Sequence, residues 1–247
     1  MANEVTIVVG MGEVGGPLYD ILQKRYECVG VDLEAVNVTA PCSVLHICIP
    51  FQIADFIGTA ADYIAKYKPR LTIINSTVAP GTTQAVAAWS GSRVAYSPVR
   101  GKHARMHSEM MRYRKFVGAD DPAARDAALD HFSGAGFKTA AFPNAAVGEV
   151  SKLLETTWLG VLVGWAQEAE RIAGECGGTY EQVNAFIEEI DFLPHHMTPG
   201  VIGGHCVMPN IEILRSIYRS PHLDAIVQSN ERKKQKEQAA EPVEVHQ

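Results

Sequence analysis

The sequence predicts an α/β fold, a parallel sheet followed by a smaller all-helical domain, and three observations carry that expectation. Short β-branched runs alternate with amphipathic stretches over residues 1–142, an alternation that buries strands between two helical layers. A glycine-rich turn directly follows the first run. After about Pro143 the pattern becomes one long apolar stripe at helical spacing, which belongs to packed helices rather than to a sheet.

Val5 to Val9 reads as the first strand, and Leu18, Ile21 and Leu22 mark the helix beyond the turn. A second run, Cys28 to Val31, ends at Asp32, and further strands are expected at Val44 to Ile49, Leu71 to Ile74 and Val94 to Tyr96. Amphipathic stretches around Ala54 to Tyr67 and Thr83 to Trp89 lie between them. Lys115 to Val117 and Thr139 to Phe142 bracket another helix near Ala123 to Phe132. The later stripe comprises Val150, Leu153, Leu154, Trp158, Val161, Leu162 and Trp165 and stops at the glycines of 174–178. Shorter helices are expected near Tyr180 to Ile190 and Ile211 to Ile217. Residues 229–247 are rich in Lys, Glu and Gln and read as a polar, disordered tail. The expected domains are therefore 1–142, 143–228 and that tail.

Composition excludes several partners. A formal charge of −6 and a pI near 5.8 supply no dense Lys/Arg face for nucleic acid or an anionic membrane. The five cysteines lack paired spacing and no CxxC pair suggests zinc, which fits free thiols in a reducing compartment. The N-terminal apolar run is too short to span a bilayer and no basic region precedes it, so a soluble, cytoplasmic protein is expected.

The glycine turn, Gly10-Met11-Gly12-Glu13-Val14-Gly15, matches G-x-G-x-x-G between a strand and a helix, with an acid at Asp32 closing the next strand. In that context the pattern predicts a Rossmann-like domain. Gly10 makes the tight turn, Gly12 lets the backbone approach a pyrophosphate, and Gly15 lets helix and strand pack. The helix N-terminus favours the phosphates, and Asp32 accepts ribose hydroxyls while repelling a 2'-phosphate, so NAD is expected over NADP. Glu13 and Val14 within the turn and Pro50 beyond the third strand complete the candidate cofactor residues, together with Thr77. The other reading is a glycine-tightened turn beside a surface aspartate.

Pro199-Gly200-Val201-Ile202-Gly203-Gly204-His205-Cys206 places glycines just ahead of a thiol. Such backbone can present the sulfur to a ligand, although a turn with a buried cysteine would look the same. Asn75-Ser76-Thr77-Val78-Ala79-Pro80-Gly81-Thr82-Thr83 follows a strand, Ser97-Pro98 follows another, and Lys152 lies early in the long helix. In their order along the chain, from the glycine turn at Gly10 to Cys206, the five segments resemble the UDP-glucose/GDP-mannose dehydrogenase family, nearest to its UDP-N-acetylmannosamine dehydrogenase branch. The resemblance runs from about Val5 to Ile217 and leaves the family's third, nucleotide-holding domain without a counterpart, as in a truncated member.

The resemblance implies an enzyme that oxidises a primary alcohol of a nucleotide sugar to a carboxylate in two hydride transfers to NAD. Cys206 stands at the position of the nucleophile that forms a thiohemiacetal and then a thioester. Lys152 matches the lysine that stabilises the oxyanion, and Thr77 a threonine near the nicotinamide and the attacking water. Without the resemblance Lys152 would read as a helical surface lysine paired with Glu149 or Glu155. The family also implies a homodimer through the long helix.

Three positions depart from the family. Val99 stands where an acid follows Ser-Pro, Thr156 where an asparagine lies four residues after the lysine, and Asn210 where an aspartate lies four residues after the cysteine. An amide cannot take a proton as a carboxylate does. Asn210 and Thr156 are nevertheless the candidate partners of Cys206 and Lys152. His103 is a candidate substitute base or a solvated loop histidine. The segment from Asp32 to Cys42 is too short for the strand and helices that the family inserts there.

His195, His196 and His205 beside Cys206 could be drawn as a metal site, but no spacing matches a zinc signature, so no metal is expected. Arg100, Lys102, His103, Arg105, Arg112, Arg114 and Lys115 form a basic stretch that would either meet substrate phosphates or be solvated. Besides the nucleotide-sugar oxidoreductase, two readings remain. One is a catalytically impaired NAD-binding or interaction protein of the same fold. The other is a two-electron hydroxy-acid dehydrogenase with Lys152 as acid/base.

Overall fold

The computed structural model describes residues 4–33, 36–191, 198–203 and 206–240. Two compact units divide the chain, Met1–Lys152 and Leu153–Gln247.

The first unit is built on β1 (Val5–Val9), β2 (Cys28–Val31), β3 (Cys42–Ile47), β4 (Leu71–Ile74) and β5 (Val94–Tyr96), all parallel in the order β2-β1-β3-β4-β5. Crossovers are α1 (Gly15–Leu22), α2 (Phe56–Tyr67) and α3 (Thr82–Ser90). Beyond β5 come α4 (Met106–Arg112), β6 (Lys115–Val117), α5 (Pro122–Gly134) and β7 (Thr139–Ala141), with β6 and β7 paired in parallel. The backbones of Tyr96 and Gly118 exchange hydrogen bonds of 2.7 and 2.9 Å, which joins this pair to the end of β5. The predicted Rossmann-like parallel sheet is the observed one.

Side-chain alternation explains why the strands read as continuous apolar runs. Ile7 and Val9 face α2 and α3, with Leu45, Ile47, Ile64 and Val86, whereas Val8 faces the α1, α4 and α5 side with Leu18, Met106 and Phe132. A strand covered on both faces has no polar face to show. Local chemistry sets the helix ends: Asp55 caps α2 through the Gly58 N–H at 2.8 Å, and Asp121 caps α5 ahead of Pro122. Because β1 lies between β2 and β3, the chain leaves it in opposite directions. A crevice forms at the carboxyl ends of strands where the order reverses in this way, the usual ligand site of an open α/β sheet.

The second unit contains most of α6 (Ala145–Glu175), α7 (Tyr180–Glu188), α8 (Val207–Ile217) and α9 (Pro221–Ala240). Gly160 keeps α6 close to its neighbours, since a Cβ there would lie 3.0 Å from Val207 and 3.1 Å from Ile211. A capping box at Thr179 and Gln182 starts α7.

Three expectations change. The boundary at 142/143 moves to 152/153, because the first turns of α6 pack in the first unit through Ala145 and Glu149. The disordered tail of 229–247 is instead helical through Ala240. Helix α9 has one buried face, Leu223, Ile226, Asn230 and Lys233, of which the last two lie in the polar tail, and Lys233 pairs with Glu170 at 2.7 Å. Finally, α4 lies in the basic stretch, where Met106 and Met110 fill the core.

Candidate functional site

The three glycines of the first turn stand in different surroundings. Gly10 has φ +86°, and a Cβ there would sit 2.8 Å from the Cys48 carbonyl oxygen. At Gly15 a Cβ would fall 1.8 Å from the Gly10 carbonyl oxygen. At Gly12 nothing lies within 4 Å, so the missing side chain leaves open space rather than relieving a contact. Val14, the residue before α1, contributes no side-chain cap, and the first turn of α1 holds no acid. Such a helix start is suited to an anion. Glu13 is exposed beside Gly12.

Asp32 directly follows β2 at the same place, and its Oδ2 accepts a hydrogen bond from the Met11 N–H at 3.3 Å. Beside it lies an open cavity of about 500 Å³ lined by Met11, Tyr19, Gly30, Asp32, Leu33 and Val36. Gly30 gives Met11 its place, since a Cβ would come within 2.9 Å of the Met11 sulfur. The open gap at Gly12, the uncapped helix and the adjacent carboxylate suit a dinucleotide.

The neighbouring strand ends bring further candidates to this side of the sheet. Ser76 Oγ donates to the carbonyls of Ile49 (2.6 Å) and Ile47 (3.3 Å), which ties the loop carrying Thr77 to the one carrying the exposed Pro50. Glu149 reaches the other end of the Thr77 loop. Its carboxylate accepts from the N–H groups of Gly81 (2.6 Å) and Thr83 (2.8 Å) and from the Thr83 hydroxyl (2.7 Å). Burial raises its pKa, and those hydrogen bonds oppose the rise. Lys152, half-buried, follows one turn later.

Val99, in the acid's position after Ser97-Pro98, is buried in the core with Met106 and Met110. The basic stretch is not one solvated patch. Lys115 is buried and donates to the carbonyls of Ser97 and Pro98, both at 3.0 Å, with its ammonium 5.1 Å from the Phe132 ring centre. Desolvation pulls its pKa down to about 7, while Cys48 pushes it up and Arg100 and Lys152 add to the fall. Arg100 bonds the Arg114 carbonyl at 2.6 Å, and Arg105 pairs with Glu109 at 2.9 Å. The His103 side chain lies outside the described residues.

In the second unit Cys206 is half-buried at the start of α8, and its carbonyl accepts the Asn210 N–H at 3.3 Å. Asn210 Nδ2 donates to Thr156 Oγ1 at 2.9 Å, and that hydroxyl donates to the Leu153 carbonyl at 3.0 Å. Two of the three positions that depart from the resembled family, Thr156 and Asn210, are therefore buried partners of one another, and neither carries a charge. His195, His196 and His205 lie outside the described residues. Among the described residues no group of three His, Cys, Asp or Glu could hold a metal ion, and no helix is long and apolar enough to cross a membrane.

No family model matches the chain. A UDP-N-acetyl-D-mannosamine dehydrogenase of Pyrococcus horikoshii is 27% identical over 203 residues, covering 75% of this chain and 47% of the relative. This chain is similar to the nucleotide-sugar dehydrogenases. It spans about half the length of that curated relative, 47%. The structure of the P. horikoshii UDP-D-ManNAc dehydrogenase matches with a TM-score of 0.85 at 21% identity, over 95% of this chain and 70% of that one. A UDP-N-acetyl-mannosamine dehydrogenase from Staphylococcus aureus matches at 0.77 and 18% identity, over 97% and 72%. A 3-hydroxyisobutyrate dehydrogenase from Mycobacterium tuberculosis matches at 0.69 and 15% identity, over 96% and 94%. These structural likenesses describe the fold.

Around the candidate residues lie buried polar groups that the sequence reading gave no role. His46 and His131 share a hydrogen bond between their Nε2 atoms at 3.0 Å, and Asn75 Nδ2, which also donates to Ile73, meets His46 Nδ1 at 3.1 Å. An amide N–H can only donate, so His46 carries its proton on Nε2 and gives it to His131. Asn230 and Gln167 are likewise buried in the second unit. Helical spacing offered one signal, since Glu149 shares the face of Leu153 and Thr156.

Proposed function

We propose that the chain is an NAD-dependent oxidoreductase that oxidises the primary alcohol of a nucleotide-linked sugar, with Cys206 as nucleophile. The observation that carries this reading is the glycine turn at the switch of the sheet, open at Gly12 and flanked by Asp32, in a chain similar to nucleotide-sugar dehydrogenases. Gly10, Gly12, Glu13, Val14 and Gly15 would hold the pyrophosphate of NAD, Asp32 its adenosine ribose, and Pro50 and Thr77 the part nearer the nicotinamide. When bound, NAD accepts the hydride removed from carbon in each of two oxidations.

The side chains then have separate tasks. The Cys206 thiolate adds to the carbonyl carbon of the aldehyde, forming a C–S bond, and the Lys152 ammonium stabilises the oxygen that becomes negative. The second oxidation leaves a thioester at Cys206. Water attacks its carbonyl carbon, the C–S bond breaks, and the carboxylate and the thiol are released. Val99, Thr156 and Asn210 offer that water no carboxylate, so hydrolysis is the slow step. A cytoplasmic, reducing setting suits the thiol. A second copy of the chain is the partner proposed for the exposed Leu154, Trp158, Trp165 and Ile172 of α6.

The burial of Val99 and the uncharged Thr156–Asn210 pair favour a second reading, an impaired NAD-binding protein. The near-complete length match to a 3-hydroxyisobutyrate dehydrogenase keeps a two-electron hydroxy-acid enzyme in view. Turnover of UDP-sugars and of 3-hydroxy acids by the chain and its Cys206→Ser variant separates the three. Two NADH per sugar, lost in Cys206→Ser, supports the proposal. One NADH per hydroxy acid that survives Cys206→Ser supports the hydroxy-acid enzyme, and NAD binding without turnover supports the impaired protein.

A further inference from the structure

Beyond the residues named above, we infer that Asn230 is a positioning residue for the Cys206 thiol, an inference that rests on the reading of Cys206 as nucleophile. Asn230 is fully buried on α9, and its amide pairs with both backbone groups of Ile202, four residues before the cysteine. The Ile202 N–H donates to Asn230 Oδ1 at 2.7 Å, and Asn230 Nδ2 donates to the Ile202 carbonyl at 3.0 Å. Gln167 on α6, equally buried, donates to the Gly200 carbonyl at 2.7 Å and to Asn230 Oδ1 at 3.4 Å. Ser229 Oγ in turn donates to Gln167 Oε1 at 2.8 Å, and Arg171 donates to Ser229 at the same distance.

A single hydrogen bond would leave the segment free to rotate about it. Two antiparallel bonds to one residue fix its peptide planes, as a neighbouring strand would. Gly200 and Gly203, on either side of Ile202, add no side chains to hold the backbone, and a Cβ at either would meet nothing within 4 Å. On the far side of the thiol, Asn210 ties α8 to Thr156. Cys206 thus lies between two anchors, and Asn230 holds the one on its amino-terminal side. No other residue type of this size both accepts and donates in that geometry.

The test compares the chain with its Asn230→Leu and Asn230→Asp variants at a temperature where circular dichroism shows each to be folded. Asn230→Asp keeps the acceptor for the Ile202 N–H and loses only the donor, so it is read in the same way if Asn230→Leu does not fold. Iodoacetamide alkylation of Cys206 is followed by peptide mass spectrometry against the exposed Cys176 as internal reference. A loosened segment opens locally more often, so the ratio of Cys206 to Cys176 labelling is expected to rise by about threefold or more. Turnover with UDP-sugar is expected to fall by about a hundredfold, as for a misplaced nucleophile, with the NAD dissociation constant unchanged. A labelling ratio within about twofold of the parent's in every folded variant overturns the positioning role. If the parent turns over no nucleotide sugar, the proposed function has failed, and the labelling ratio alone decides the role of Asn230.

Discussion

Alanine at Gly12 and alanine at Gly15 are chemically the same change three residues apart, yet the geometry separates their effects. A Cβ at Gly15 would lie 1.8 Å from the Gly10 carbonyl oxygen, where unstrained contact needs about 3.5 Å. The turn must open by more than 1 Å, roughly, against packed strands, and overpacking on this scale costs about 3 kcal/mol. In a chain of this size that lowers Tm by about 6 to 12 °C. At Gly12 a Cβ meets nothing within 4 Å and the backbone φ lies outside the left-handed region. Its stability should stay within about 0.5 kcal/mol of the parent. The same methyl group would occupy the gap through which a pyrophosphate approaches the backbone, and a misfit of about 1 to 3 kcal/mol weakens NAD binding by about fivefold to about 150-fold. Thermal unfolding by circular dichroism and NAD titration by calorimetry read both effects. Equal losses of Tm in the two variants would refute the steric reasoning. Undiminished NAD affinity in Gly12→Ala would refute the assignment of the gap.

The buried titratable groups make stability depend on pH in opposite senses. Lys115, at about 7 in the fold against 10.5 when unfolded, binds its proton more weakly when folded, so stability rises with pH between those values. Burial raises the Cys28 and Cys42 thiols to about 11 and that of Cys48 to about 12, so their contribution is held below 9.0 and lost as pH climbs through those values. Urea unfolding should therefore show a maximum near pH 9, and Lys115→Met should abolish the rise toward it. Burial also lowers His131 to about 4 and His46 well below 6.5, so stability is lost as pH falls from 6.5 toward 4. His131→Phe should make that acid limb shallower, leaving the part due to His46, while costing about 1 to 3 kcal/mol at neutral pH because the His46 N–H loses its acceptor. Glu149→Gln places an amide N–H against backbone donors of Gly81 or Thr83 and should cost about 1 to 3 kcal/mol in the same assay.

The parts of this molecule that follow a period were legible in its sequence. β1, β2, β4 and β5 stand where apolar runs placed them, and the glycine turn declared both its conformation and the strand and helix beside it. Polar residues that act from inside were not legible. Lys115 and Asn230 sit among other charged and polar residues, so in the sequence one reads as part of a basic stretch facing phosphates or solvent and the other as part of a polar tail, whereas each is buried against backbone carbonyls distant in sequence. Only the tertiary fold supplies those partners. Helix α9 was missed for the same reason, since four buried positions on one face carry little weight in a segment of Lys, Glu and Gln. Val99 and the Thr156–Asn210 pair were visible as substitutions, but their burial, and the bond between Asn210 and Thr156, were not.

The central claim, that Cys206 carries the substrate carbon through an oxidation that depends on NAD, is tested most directly by mass spectrometry. The protein would be incubated with UDP-N-acetylmannosamine, with and without NAD, and its Cys206 peptide weighed. The account expects an acyl adduct on Cys206 that forms only with NAD and accumulates because no carboxylate stands at residue 99 or 210 to activate water. An unmodified Cys206 peptide in a protein that binds NAD, whichever UDP-sugar is supplied, would contradict it.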